Sequence, residues 1–134
     1  MSNAAFLRQV PLFDSLGDPE IEALAELTFS RTFDKGQCII LAEDSGDTLF
    51  IIRTGQVKVS FLHEDGKEFI LSLLGEGEVF GELSLLDNRP RSANVTATSK
   101  TELMMLTRTD FLHLVELVPQ IAVSLLEELA SRLR

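Results

Sequence analysis

Glycine punctuates the middle of this chain at a nearly even interval. From Gly36 it recurs at 46, 55, 66 and 75, spacings of 10, 9, 11 and 9 residues. Turn residues every ~8–12 positions, with short apolar runs between them, indicate an all-β sandwich or barrel. All eight glycines lie between Gly17 and Gly81, and the last 53 residues have none. The runs between the glycines suit strands. Thr48-Leu49-Phe50-Ile51-Ile52 is β-branched and aromatic. Val57, Val59 and Phe61 alternate with Lys58 and Ser60, which predicts one buried and one wet face. Asp65-Gly66 between two apolar runs is a hairpin signal, and Phe69 to Leu74 returns the chain. Asn94 to Thr98 and Glu102 to Leu106 are two further strand candidates.

The ends read as helices. Asp18 followed by Pro19 predicts an N-cap with proline at the first helical position. Ile21, Leu24, Ala25 and Thr28 then share one helical face. Thr107 to Asp110 matches a capping box, and Phe111, Leu114, Val115 and Val118 follow as an apolar face. Pro119 breaks or bends that helix. From Gln120 to Arg134, Ala122, Leu126, Leu129 and Leu133 recur at a 4-3-4 spacing. That spacing fits a helix–helix seam, or equally plain packing against the β core. The layout is one domain over residues 6–134, with a β core from about 29 to 107. Residues 1–5 form the start, and Met1-Ser2-Asn3-Ala4 reads as a vector-derived scar outside the fold.

Charge and composition remove several classes of function. Lys and Arg number 12 against 21 Asp and Glu, a net charge of −9. Residues 1–67 carry 6 basic and 11 acidic groups and residues 68–134 carry 6 and 10, so there is no basic half to hold nucleic acid. No apolar run approaches the ~20 residues of a membrane span. A single cysteine, Cys38, excludes an internal disulfide framework and multi-cysteine metal sites, and a reduced cytoplasmic setting is expected. His63 and His113 stand 50 residues apart, which does not suit a metal-binding cupin. No Gly-x-Ser-x-Gly elbow or Walker loop supports an enzyme. Cys38 is expected to be a buried small hydrophobe, and the phenylalanines are expected in the core.

One stretch, Gly75 to Ala93, breaks the strand rhythm. It carries glycines for close backbone approach, a short apolar turn and Arg89-Pro90-Arg91. Exposed amides at the start of a helical turn bind anions, and the Arg91 fork can clamp the same anion. Ser92 adds a hydroxyl and an amide. Glu82 would repel a phosphate unless it had another task. A ligand with an anion beside a hydroxyl gives it one, and a ribose phosphate is such a ligand. Arg89 is read as a solvated loop charge.

At these residues the sequence resembles the cyclic nucleotide-binding domain family, in particular the sensor domains of the catabolite activator protein superfamily. Phe80-Gly81-Glu82-Leu83-Ser84-Leu85-Leu86 followed by Arg91-Ser92-Ala93-Asn94-Val95 is similar to the family's phosphate-binding cassette. Ser45 to Ile52 and Gly55 to Val59 resemble its earlier strand signature, and the likeness runs over residues 6–134. Glu78 stands where the family often has Asp.

The resemblance implies a mainly β fold: a jelly roll, or double-stranded β-helix, with flanking N- and C-terminal helices. It implies cyclic AMP or cyclic GMP as ligand, cyclic AMP preferred, with no separate cofactor, no catalysis and no metal. Glu82 would take the ribose 2′-hydroxyl, Arg91 the cyclic phosphate, and Ser92 the phosphate near the base. Gly81, Leu83 and Ser84 would supply amides and the tight turn. The resemblance further implies a homodimer through the C-terminal helix. That helix would signal to an effector beyond Arg134, and the groups it would add to the base lie outside the sequence. A ligand-independent dimerisation module and a stand-alone cyclic nucleotide-binding protein are the alternatives. A haem or redox sensor finds little support in Cys38 and two histidines.

Overall fold

The computed structural model describes residues 2–41, 46–82 and 93–134. They form α1 (Asn3–Leu7), a 3-10 turn (Pro11–Phe13), α2 (Asp18–Leu27), eight strands, α3 (Arg108–Leu117) and α4 (Gln120–Leu133). The strands are β1 (Phe29–Phe33), β2 (Cys38–Ile40), β3 (Thr48–Thr54), β4 (Val57–Leu62), β5 (Glu68–Leu74), β6 (Val79–Phe80), β7 (Asn94–Ala97) and β8 (Thr101–Thr107). Two compact units result: residues 29–106, and residues 1–28 together with 107–134.

In the β unit the sheet orders are β1-β8-β3-β6 and β2-β7-β4-β5. Every pairing with a resolved register is antiparallel. The pairs nest, β1 with β8, β2 with β7, β3 with β6 and β4 with β5, as one long hairpin folded over on itself. This is the expected jelly roll. Its core is Phe33, Ile40, Phe50, Ile52, Val57, Leu74, Phe80, Val95, Ala97 and Leu103. The hairpin turn falls at Asp65-Gly66: the His63 amide donates to the Lys67 carbonyl at 2.8 Å, and the Lys67 amide donates to the Asp65 carboxylate at 3.0 Å.

Alternation predicted the faces of β4 only in part. Val57 is buried, but Phe61 and its partner Phe69 are exposed, because the hairpin runs on past the core. Phe29 is exposed as well, on an edge strand. Ser60, expected on the wet face, is buried at a register shift between Val59 and Ser60. Lys58 Nζ lies 2.9 Å from Glu68 Oε1. That hydrogen bond, with another from Ser60, holds the Glu68 carboxyl below its ordinary value. A lowered carboxyl stabilises the fold above its ordinary range, and the effect fades as pH falls through the lowered value. Cys38 is exposed rather than buried. Its strand is an edge, and the register shifts between Cys38 and Ile40, so the apolar run does not keep one face inward.

The turns at the two ends of β3–β4 and β7–β8 are tied by hydroxyls. The Gln56 amide donates to Ser99 Oγ at 3.1 Å, and the Thr98 and Thr101 hydroxyls donate to the Gln56 carbonyl at 3.1 and 3.2 Å. Gly55 makes this closeness available. Its φ is +97°, and a Cβ there would lie 2.5 Å from both the Lys100 carbonyl oxygen and Thr101 Oγ1.

In the helical unit, α2 begins one residue before the expected start. Gly17 is the N-cap, and Asp18 and Pro19 lie inside the first turn, where a missing amide costs nothing and acids meet the helix dipole. Ile21 and Leu24 form the buried stripe as expected. Ser2 caps α1, and Asn3 and Ala4 are helical, so the first residues do take part in the fold. Arg8 ties α1 to α2 through Asp18 at 3.2 Å and Glu22 at 3.5 Å. Thr107 caps α3 as expected, its hydroxyl accepting from the Asp110 amide at 3.2 Å. α3 and α4 meet at Pro119 with a bend of 116°. On α4 the buried residues are Ile121 and Leu125. The expected 4-3-4 stripe faces elsewhere, with Leu126 63% and Leu133 88% exposed. Among the described residues no single helix is long and apolar enough to cross a membrane.

Replacing Gly55 with Ala is expected to destabilise the fold by about 3 kcal/mol, from a left-handed backbone and a steric clash together. Urea unfolding would show a lower midpoint at an unchanged slope, and an unshifted midpoint would contradict the account.

Candidate functional site

The site is built at the end of β6. This strand has two residues, Val79 and Phe80, paired with Ile51 and Phe50 of β3. Both are buried, and the Phe80 ring stacks on Phe50 with centroids 4.9 Å apart and planes 6° apart. An offset or parallel aromatic pair adds to the burial it brings. Phe80 is therefore anchored in the core immediately before the candidate ligand residues.

Gly81 follows with φ +86°. A side chain is strained in that region, so glycine lets the backbone leave the strand sharply. Glu82 comes next and is 5% exposed. Among the described residues it is the only ionisable side chain so buried; the other buried polar residues are Ser60 and Thr101. A buried carboxylate is costly unless polar groups meet it, which makes Glu82 a candidate binding residue. Leu83, Ser84, Arg91 and Ser92, together with Arg89, lie outside the described residues. The chain resumes at Ala93 and enters β7 at Asn94.

Two residues with a part in the site were not singled out for it by sequence reasoning. Phe50, thirty positions before Phe80 in the chain, is brought under it by the β3–β6 pairing. Glu78 was noted only as a replacement for Asp, yet its Oε1 accepts a hydrogen bond from the Gly75 amide at 3.2 Å. The signal was present: a carboxylate three residues after a turn-opening residue is the spacing at which a side chain reaches back to that residue's amide.

His63 lies at the hairpin turn and His113 on α3, and both are exposed. Among the described residues no cluster of His, Cys, Asp or Glu is arranged to hold a metal.

The family model for the cyclic nucleotide-binding domain matches residues 30–117. The chain belongs to that family. It is 40% identical over 124 residues to the cyclic AMP receptor protein of Thermus thermophilus, covering 92% of this chain and 57% of that protein. It is 30% identical over 128 residues to the CRP-like cAMP-activated global transcriptional regulator of Mycobacterium tuberculosis, covering 96% and 57%. The crystal structure of the Thermus thermophilus catabolite activator protein superposes with a TM-score of 0.84 at 40% identity, covering 92% of this chain and 58% of that one. The chain thus spans a little over half the length of these relatives. The proteins it resembles are sensors and regulators rather than enzymes.

Replacing Phe80 with Leu is expected to cost about 1–2 kcal/mol by removing the ring stack on Phe50. Chemical denaturation measures this, and an unchanged unfolding free energy would show that the stack does not hold β6.

Proposed function

We propose that this domain senses a cyclic nucleotide, with cyclic AMP preferred, as the regulatory part of a catabolite-activator-type transcriptional regulator. The observation that carries the reading is Glu82, a carboxylate buried directly after the left-handed Gly81. At that position it accepts from the ribose 2′-hydroxyl. Arg91 pairs with the cyclic phosphate, Ser92 donates to it, and the amides around Gly81, Leu83 and Ser84 surround the same anion. The acidic chain makes this local arrangement necessary. With a net charge of −9, positive potential for a phosphate has to come from one guanidinium and a few amides. DNA has no place on this domain for the same reason. The work is binding rather than turnover, in the cytoplasm, where cyclic nucleotides act on regulators of this type.

The C-terminal helix carries the signal in this reading. A ligand shifts helix positions only by binding one of them better, so the helix closes over the base as a lid and passes the change to an effector. The same helix joins two copies. Leu126 and Leu133 stand exposed on α4 at the seam spacing, and a second α4 covers them.

Two measurements test these points. Arg91→Ala is expected to weaken cyclic AMP binding by about 2–5 kcal/mol in calorimetry, the range for truncating one partner of a buried charge pair. Equal affinities would remove Arg91 from the site, and no heat from wild type with millimolar cyclic AMP or cyclic GMP would leave the domain a ligand-independent module. Leu126→Glu is expected to turn a dimer into a monomer in sedimentation velocity. A wild-type monomer would remove the helix seam.

A further inference from the structure

We infer that Glu78 is a positioning residue for Glu82, setting the preference of the site for a ribose over a deoxyribose. The inference rests on the role given above to Glu82.

The argument begins at the end of β5. Leu74 closes that strand in the core, and the chain turns back through Gly75-Glu76-Gly77-Glu78. The Glu78 amide donates to the Gly75 carbonyl at 3.1 Å, and Gly77 has φ +82° at the third position. This is a type II turn. It is fastened to β3 on both sides: the Gly77 amide donates to the Ile52 carbonyl at 2.8 Å, and the Ile52 amide donates to the Glu78 carbonyl at 3.0 Å. The Glu78 side chain adds a bond in the opposite direction, Oε1 accepting from the Gly75 amide at 3.2 Å. First and last residues of the turn are therefore tied twice, once through backbone and once through a carboxylate. A hydrogen bond to an ionised acceptor is roughly twice as strong as a neutral one.

Glu82 lies four residues beyond this lock. The segment between is β6, two residues long, and Gly81. The register of β6 is set by the turn before it together with the Phe80 stack on Phe50. A slip of one residue moves the chain by about 3.3 Å. Hydrogen bonds fail over a smaller distance than that, and a slip also turns side chains to the opposite face. A buried Glu82 that must meet one hydroxyl cannot tolerate such a slip. The Glu78 carboxylate is itself a liability in an acidic stretch that also holds Glu76 and Glu82. Its half-buried position on the Gly75 amide gives it a use that a solvated acid would not have.

The test compares cyclic AMP with 2′-deoxy cyclic AMP, by calorimetry, on wild type and on three variants. Glu78→Ala and Glu78→Met remove the acceptor, the second keeping the length of the side chain, and Glu78→Gln keeps an acceptor. Wild type is expected to bind the ribose ligand at least tenfold more tightly. In E78A and E78M that ratio is expected to fall to within about twofold, with 2′-deoxy cyclic AMP bound about as in wild type. In E78Q most of the ratio is expected to remain. Thermal unfolding of each variant identifies any that does not fold, and the other acceptor-less variant then carries the comparison. A ratio unchanged in E78A or E78M overturns the inference, as does an equal weakening of both ligands, which a merely structural role would give. Those outcomes leave the sensing role standing. A wild type that binds neither nucleotide, or both alike, would instead overturn the role of Glu82 on which the inference depends.

Discussion

The candidate site hangs on one of the shortest strand pairings among the described residues. β6 meets β3 over two residues, Val79 on Ile51 and Phe80 on Phe50. So short a ladder cannot hold its own register by hydrogen bonds. It is held from both sides by other forces. Before it, a type II turn is bonded to Ile52 in both directions. Within it, the Phe80 ring lies flat on Phe50 inside the core. The hydrophobic contribution supplies most of the energy, and the turn supplies the register. Neither would fix Glu82 alone, because apolar burial is not directional and a turn by itself has little to bury.

The nested strand order explains why so much rests on so few contacts. In a hairpin folded over on itself, strands far apart in sequence become neighbours, as β1 and β8 do through Phe29–Met105 to Phe33–Thr101. Each closure depends on turns that bring the arms together. The hydroxyl network joining Gln56 to Thr98, Ser99 and Thr101 is one such closure, and it requires Gly55 to present no side chain. The site is thus fixed by the same kind of device as the fold: a glycine that allows close approach, and a polar group that fastens it.

Much of this was legible in the sequence, for definite reasons. The glycine rhythm and the Asp65-Gly66 pair mark turns because few residues tolerate the backbone angles those turns need. Thr107 announced α3 because a hydroxyl before a helix has a backbone amide to meet. Gly81 and Glu82 were read from the cassette as ligand residues; the structure gives Gly81 a left-handed backbone and buries Glu82. Other features depend on how far each element extends past its neighbours. Alternation named the inner face of β4, but not the point at which that face leaves the core, so Phe61 and Phe69 are exposed. A register shift defeated the expectation for Cys38, since a bulge in its own strand changes which side faces inward. The N-cap of α2 moved from Asp18 to Gly17 because helix ends are set by local backbone angles as well as by capping chemistry.

The register shift in β5 also bears on solubility. β5 is an edge strand, and with the end of β4 it exposes Phe61, Leu62, Phe69, Ile70, Leu71 and Leu73. A straight apolar edge is a template on which other chains add strands and aggregate. Opposite Val59 and Ser60, β5 carries one residue more than its partner, Leu71, so its edge is bent rather than straight. The irregularity in β5 thus blunts an open sheet edge.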